Sequence, residues 1–325
     1  MTKFILKRVL WIIPVCLGVL LIVFSISYFS PGDPVMSLLG TKGYTPEAYA
    51  ELEAKLGLDK PFLTQYINYV KGIVTEFNFG TSYSYGHEVG PEILSRMGIT
   101  LKLGLLSVLV TALLGVPFGI ISATKQYSLL DYGVTVASLF FASMPNFWLA
   151  MVCIIIFSLK LGWLPPNGMN GWKYMILPVM TNAMSSVASV SRMSRSSMLE
   201  VIRADYIRTA RAKGCSERSI IFKHELRNAI IPIMTVVGMQ LGSVVAGSVV
   251  IETIFNIQGL GTYMMNGISG RDYPIINACV LVLAFCICIM NLLVDICYAY
   301  VDPRIHSKYV SVKTKDNKKK EGKVA

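Results

Sequence analysis

The sequence predicts an all-α, polytopic membrane protein with six transmembrane helices. Three observations predict it. Apolar residues make up 54% of the 325 and charged residues only 15%, where a water-soluble chain carries roughly a quarter charged residues. The apolar residues gather into runs near or beyond the roughly 20 residues that a helix needs to cross the hydrocarbon of a bilayer. Finally, most basic residues fall on alternate connecting segments, the asymmetry that cytoplasmic loops show.

The runs lie near 9–29, 99–123, 132–159, 174–190, 230–251 and 276–301. The first follows Lys3, Lys7 and Arg8, a charge pattern that secretory signals share. It is longer than a signal's apolar region and no A-x-A site follows it, so the expectation is a retained span with the N-terminus in the cytoplasm. Between the first two runs, 30–98 forms a long external segment. Pro31-Gly32-Asp33-Pro34 ends the first helix, since proline cannot continue a hydrogen-bonded helix and disfavours helical geometry before it. Thr45 as N-cap, Pro46 at N1, Glu47 in the first turn and Gly57 as a stop define a short helix. Phe62, Tyr66, Tyr69 and Val70 at helical spacing define another over 61–77. This segment either caps the bundle or docks a partner.

The fourth run is interrupted by Asn182, Ser185, Ser186, Ser189 and Ser191, small polar groups that favour a helix packed among helices over one facing lipid. Pro14, Pro117, Pro145, Pro178 and Pro232 lie inside or at the ends of runs, where neighbouring helices can satisfy the freed carbonyls. With the N-terminus inside, the cytoplasmic segments are the N-terminal tail, a short turn over 125–131, the loop 192–228 and the C-terminal tail, and both termini are cytoplasmic. These segments hold most of the 30 lysines and arginines behind the net charge of +11. Topology and anionic lipid account for that excess, so no nucleic-acid partner is expected. The expected location is the inner, cytoplasmic membrane, crossed several times.

The seven cysteines sit mostly inside spans without a CxxC pair, which describes small apolar residues and neither a disulfide framework nor a zinc site. His87, His224 and His306 are far apart, with no partner at metal or triad spacing, so no catalytic, metal or cofactor residues are expected in this chain. Asp295, toward the inner end of the last span, is a candidate for proton coupling or for a structural hydrogen bond. Lys102 near the outer end of the second span can snorkel.

The loop 192–228 is the informative region. Met198, Leu199, Ile202, Tyr206, Ile207 and Ala210 recur at three- and four-residue steps, an expected helix with one apolar face, while Arg203, Arg208, Arg211 and Lys213 supply a basic one. Gly214 suits a left-handed C-terminal position, after which Ser216 can cap a second short helix from Glu217. A helix, a glycine bend and a helix of this polarity lie on the membrane surface or in a partner's groove.

The stretch from Ala204 to Gly214, with Asp205, Tyr206, Arg208, Thr209, Ala210, Arg211, Ala212 and Lys213, continues to His224-Glu225-Leu226-Arg227-Asn228 before Pro232. It resembles the EAA loop of binding-protein-dependent ABC importer permeases of the dipeptide, oligopeptide and nickel type. Further matches are Leu56-Gly57-Leu58-Asp59-Lys60-Pro61, Leu161-Gly162-Trp163-Leu164-Pro165, Glu252-Thr253-Ile254-Phe255 before Gly259-Leu260-Gly261, Arg271-Asp272-Tyr273-Pro274 and Asp302-Pro303. The triplet itself is Arg208-Thr209-Ala210, so the glycine and flanking helices carry the match. The resemblance spans about 1–306.

The resemblance implies a first span with its external loop over 1–98 and a permease core over 99–306 holding five spans and the coupling loop; beyond it, the lysine-rich composition of 307–325 predicts a basic, disordered tail. The resemblance also implies half of a translocation pathway for peptides, with nickel, glutathione or another small solute as alternatives and a proton-coupled secondary transporter as the rival class. The implied partners are a second homologous permease, two ATP-binding subunits, an external substrate-binding protein and membrane lipid. No G-x-x-x-x-G-K-[ST] loop occurs, so the chain is expected to be a transport subunit and no enzyme, with ATP and magnesium on the partner ATPases. The implied coupling residues are Tyr206, Arg208, Ala210, Arg211, Ala212, Lys213, Gly214, His224, Arg227 and Asn228, with Ala210 kept small to fit the ATPase cleft.

Overall fold

The computed structural model describes residues 2–31, 33–39 and 45–301. The tail over 307–325, His306, Asp302-Pro303 and Gly32 lie outside the described residues. In chain order the helices are α1 (Thr2–Phe29), α2 (Pro34–Leu39), α3 (Pro46–Leu56), α4 (Phe62–Glu76), α5 (Val89–Thr124), α6 (Leu129–Ser143), α7 (Asn146–Cys153), α8 (Lys173–Ile202), α9 (Asp205–Ala212), α10 (Glu217–Ser219), α11 (Leu226–Ile254), α12 (Leu260–Ser269) and α13 (Tyr273–Val301). Wider π-helical turns extend α7 over Ile154–Lys160 and join α10 to α11 over Ile220–Glu225. Among the described residues there is no strand, only an isolated bridge between Thr81 and Glu88.

Four helical stretches, Ile5–Phe29, Val89–Thr124, Glu217–Ile254 and Tyr273–Cys297, are long and apolar enough to cross a membrane. The third apolar run departs from the expected single span. It forms two helices, α6 and α7, bent by 106°. The break falls at Met144, which is extended (φ −84°, ψ 132°) because Pro145 follows it. Counted as one broken span, the pair makes a fifth.

Helix α8 falls short on apolarity yet has 30 residues, and it lies in the interior. Thr181, Asn182, Ser186, Ser191, Ser194 and Ser197 are all buried, as the small polar residues of this run predict. The Asn182 side-chain amide donates to Ser107 Oγ and to the Val244 carbonyl, both at 3.4 Å, and Ser186 donates to Gln240 Oε1 at 2.9 Å. Across from α8, Gly115 and Gly119 of α5 bring the two backbones together. A Cβ on Gly115 would stand 3.0 Å from Val190, and one on Gly119 would collide with Ser194 and the Ser191 carbonyl.

At the end of α11 away from the loop 192–228, Glu252 is fully buried, and its carboxylate accepts from the backbone N–H of Gly261 (2.7 Å) and Thr262 (3.3 Å) and from the Ser248 hydroxyl (3.3 Å). A Cβ on Gly259 or Gly261 would strike this carboxylate. The glutamate and the two glycines of that motif therefore form one latch, closing α11 onto the start of α12. Thr100 of α5 joins it by accepting from Leu260 N–H at 2.9 Å.

Outside the bundle, α3 starts and stops where its caps predict. Thr45 Oγ1 accepts from Ala48 N–H at 3.1 Å, and Gly57 is left-handed (φ 69°). Helix α4 lays Phe62 and Tyr66 against Phe24 of α1, with ring centroids 5.7 and 5.6 Å apart.

Candidate coupling surface

The expected continuous helix through Met198, Ile202, Tyr206 and Ala210 is two helices. The chain turns at Arg203–Ala204, where Ala204 is extended (φ −73°, ψ 144°), and α9 sets off in a new direction. Periodicity alone could not show this, because a change of axis leaves the three- and four-residue spacing intact. One consequence is that Tyr206 is 48% exposed and does not share the buried face. Met198, Ile207 and Ala210 are buried.

The C-terminus of α9 closes as the glycine predicts. Gly214 has φ 79°, its N–H donates to the Arg211 carbonyl (2.9 Å), and Cys215 N–H donates to the Ala210 carbonyl (3.2 Å). Ser216 then caps the next turn, its hydroxyl oxygen accepting from Ser219 N–H at 3.4 Å. The six-residue wide-turned junction into α11 carries Glu225 inward, fully buried.

Arg211 holds these pieces together. Its guanidinium donates to both oxygens of Glu217 (3.0 and 3.4 Å) and to Glu225 Oε1 (3.3 Å), while Glu225 Oε2 has no partner. One arginine thus clamps two carboxylates and fastens α9 to the base of α11. The remaining surface of α9 is free to meet something else: Arg208, Thr209, Ala212 and Lys213 are exposed, and Arg208 reaches Asp205 only at 3.8 Å with both side chains in solvent.

Ala210 is only 8% exposed within the chain itself. Packing within the chain therefore favours a small residue at this position. Tyr206, Arg227 and Asn228 meet across a groove of about 570 Å³ between the end of α8 and the start of α11, floored by Ser197, Val201 and Ala229. His224 is half-buried, and its carbonyl accepts from the Asn228 side-chain amide at 2.6 Å.

A second ion pair on this side has no signal in the linear sequence. Asp131, buried at the start of α6, takes a bidentate contact from Arg195 of α8 (2.8 and 2.9 Å), a hydroxyl from Ser122 of α5 and the Tyr127 N–H (3.0 Å). Its partner is 64 positions away, so only the fold reveals it. It ties α5, α6 and α8 together. Asp295, the candidate for proton coupling, is instead paired with Arg8 at 2.7 Å, joining α13 to α1.

Comparison with known proteins bears on this arrangement. The profile of the family described as binding-protein-dependent transport system inner membrane component matches residues 115–307, and that family's N-terminal membrane-component profile matches 1–104. The dipeptide transport system permease protein DppB of Alkalihalophilus pseudofirmus is 38% identical over 94% of this chain and 99% of that protein. The oligopeptide transport system permease protein AppB of Bacillus subtilis is 38% identical over 94% of this chain and 99% of that protein. Among solved structures, an inward-facing form of the MetNI methionine ABC transporter aligns with a TM-score of 0.57 at 18% identity, covering 65% of this chain and 96% of that one. At that identity the likeness speaks for the fold.

Proposed function

Because this chain belongs to the family of binding-protein-dependent transport system inner membrane components, we propose that it forms half of the translocation pathway of an ATP-driven peptide importer of the cytoplasmic membrane. The observation that carries the proposal is the clamped helix α9, whose outward residues Arg208, Thr209 and Ala212 are exposed while its inward ones are locked. A helix held that way serves as a handle. Two ATP-binding subunits, carrying ATP and magnesium, would grip it through Arg208, Ala212 and Lys213, with Tyr206, Arg227 and Asn228 at the groove beside it. Closure of those subunits on nucleotide would favour one of two orientations of the spans, giving alternating access by rigid-body motion.

A second, homologous permease would complete the pathway, and an external binding protein would deliver the peptide. Relatives named for dipeptide and oligopeptide transport support peptides as the cargo. The basic bias of the loop 192–228 supports an orientation with that loop and both termini in the cytoplasm. The pairing of Asp295 with Arg8 supports a structural role for that acid over proton coupling.

The test is reconstitution of this chain with its candidate partners in vesicles, measuring uptake of a labelled dipeptide. Uptake should require ATP and the ATP-binding subunits and should persist when the proton gradient is collapsed. Gradient-driven uptake by this chain alone would overturn the proposal.

A further inference from the structure

At the opposite, external end of the molecule, a cavity of about 460 Å³ opens between the end of α1, the helices α2 to α4 and the start of α13. Its lining has an unusual composition. Aromatic faces come from two clusters: Phe24 with Tyr69 (ring centroids 5.9 Å apart) and Tyr83 with Tyr273 (6.4 Å). Burial pushes the Tyr69 and Tyr83 hydroxyls well above the ordinary phenol range, so these rings stay neutral.

Two carboxylates, Asp33 and Glu53, face the same space, and among the described residues no lysine, arginine or histidine lines it. Asp33 is fixed in place by the N–H groups of Val35 (2.8 Å) and Met36 (3.1 Å) and by the Tyr49 hydroxyl (2.8 Å). None of those donors brings a charge. Glu53 makes no hydrogen bond or ion pair through its carboxylate to the described residues. A third polar group completes the set: Asn277 is 3% exposed and lines the cavity, and its side-chain oxygen accepts from the Ser27 hydroxyl at 3.3 Å. Its amide NH₂ makes no hydrogen bond to the described residues.

The chemistry that these groups lack is specific. Negative charge without a counter-charge among the described residues calls for a cation, and π faces favour one that is organic and weakly hydrated over a metal ion. An idle amide donor calls for an acceptor a few atoms away. We propose that this cavity binds a primary organic ammonium group carrying a nearby carbonyl or phosphoryl oxygen, separately from the coupling surface. Two sources share that chemistry: the amino end of a solute arriving from outside, and the headgroup of an aminophospholipid in the outer leaflet. The site is independent of the importer reading, since it uses none of the residues on which that reading stands.

The experiment uses the purified full-length chain in nanodiscs of phosphatidylglycerol, with glycinamide as the probe at slightly acidic pH and saturation-transfer NMR as the readout. Glycinamide should receive magnetisation from the protein, while N-acetylglycinamide, of similar shape but uncharged, should not. Glu53→Gln should weaken glycinamide about ten-fold, the usual scale for one charge-assisted contact. Asp33→Asn should do the same while keeping its helix cap, because asparagine caps as well as aspartate. Equal transfer to the acetylated compound, or wild-type affinity in the doubly substituted chain, overturns the proposal. The acetylation comparison is made on the wild-type chain and needs no variant to fold. Adding phosphatidylethanolamine to the nanodisc separates the sources. Displacement of glycinamide from the wild type identifies the headgroup as the occupant, and an unchanged signal identifies a soluble amine.

Discussion

Replacing Arg211 by alanine tests the clamp beneath the coupling surface. In the native chain the guanidinium serves an exposed carboxylate, Glu217, and a buried one, Glu225, whose second oxygen already lacks a partner. Removing one member of a fully buried pair costs about 3–5 kcal/mol, because a charge is left without compensation. A fully exposed pair contributes about 0.2–1 kcal/mol. Here the arginine is 40% exposed and the glutamate 1%, so the expected cost lies between, at about 2 kcal/mol, or roughly 30-fold in the local opening equilibrium. Hydrogen exchange across 205–225 reads that equilibrium directly, and the protection of α5, α8 and α11 in the membrane should not change. The cycle is closed by adding Glu225→Leu. With the buried carboxylate gone, the double variant should recover most of the protection that Arg211→Ala loses, giving a coupling energy of the size estimated. Glu217→Ala alone should cost less than about 1 kcal/mol. If Arg211→Ala leaves protection within about two-fold, or if the double variant is no better than the single, the clamp is not what holds α9.

Other substitutions separate the inner from the outer side of the same element. Gly214→Val should cost about 1 kcal/mol or more through its positive φ alone, since nothing lies within 4 Å of a Cβ there; stimulated ATP turnover should fall while membrane insertion persists, and Gly214→Asn should retain more activity than valine. Ala210→Glu should abolish exchange protection of α9 by burying a charge in the chain's own core, whereas Lys213→Glu should keep that protection and weaken copurification of the ATP-binding subunits. Equal protection in those two variants would show that α9 has no inward face. Gly119→Leu should force α5 from α8, where the backbone of Ser191 blocks it, and lower the thermal transition of the detergent-purified chain by more than Gly98→Leu, whose surroundings are open.

Much of the architecture was legible because it follows from local rules. The apolar runs mark the spans, Thr45 and Gly57 bound α3, and Gly214 with Ser216 place the bend and the cap to the residue. What escaped depended on direction or on distance along the chain. Pro145 is visible in the sequence as a helix breaker, but proline is tolerated in membrane helices, and only the structure shows a 106° turn there. Gly115 and Gly119, four apart, carried the small-residue spacing of a close helix crossing; that signal was present in the sequence and unused. The inward turn of Glu225 and the pairing of Asp131 with Arg195 leave no trace in spacing. Which side of α9 Ala210 faces depends on the turn at Ala204, which spacing alone does not show.

The contacts also determine where a push on α9 must go. Arg211 and Glu225 fix α9 to the base of α11, and Met198 at the foot of α8 is buried with Ala123 of α5 and with Ala229 and Ile233 of α11. Farther along, Gly115 and Gly119 leave no gap between α5 and α8, and at the opposite end Thr100 of α5 meets the start of α12, which Glu252 latches to α11. Close-packed interiors are stiff, so three helices joined at the bottom, middle and top move as one body. The helices outside that body are joined to it differently. α6 is held at its N-terminal end through Asp131, breaks at Pro145 and has large apolar side chains such as Val136, Leu139 and Phe140 facing outward. A displacement begun at α9 would therefore be carried to the Glu252 latch with little loss and be absorbed at the α6–α7 break, where the chain bends by 106°.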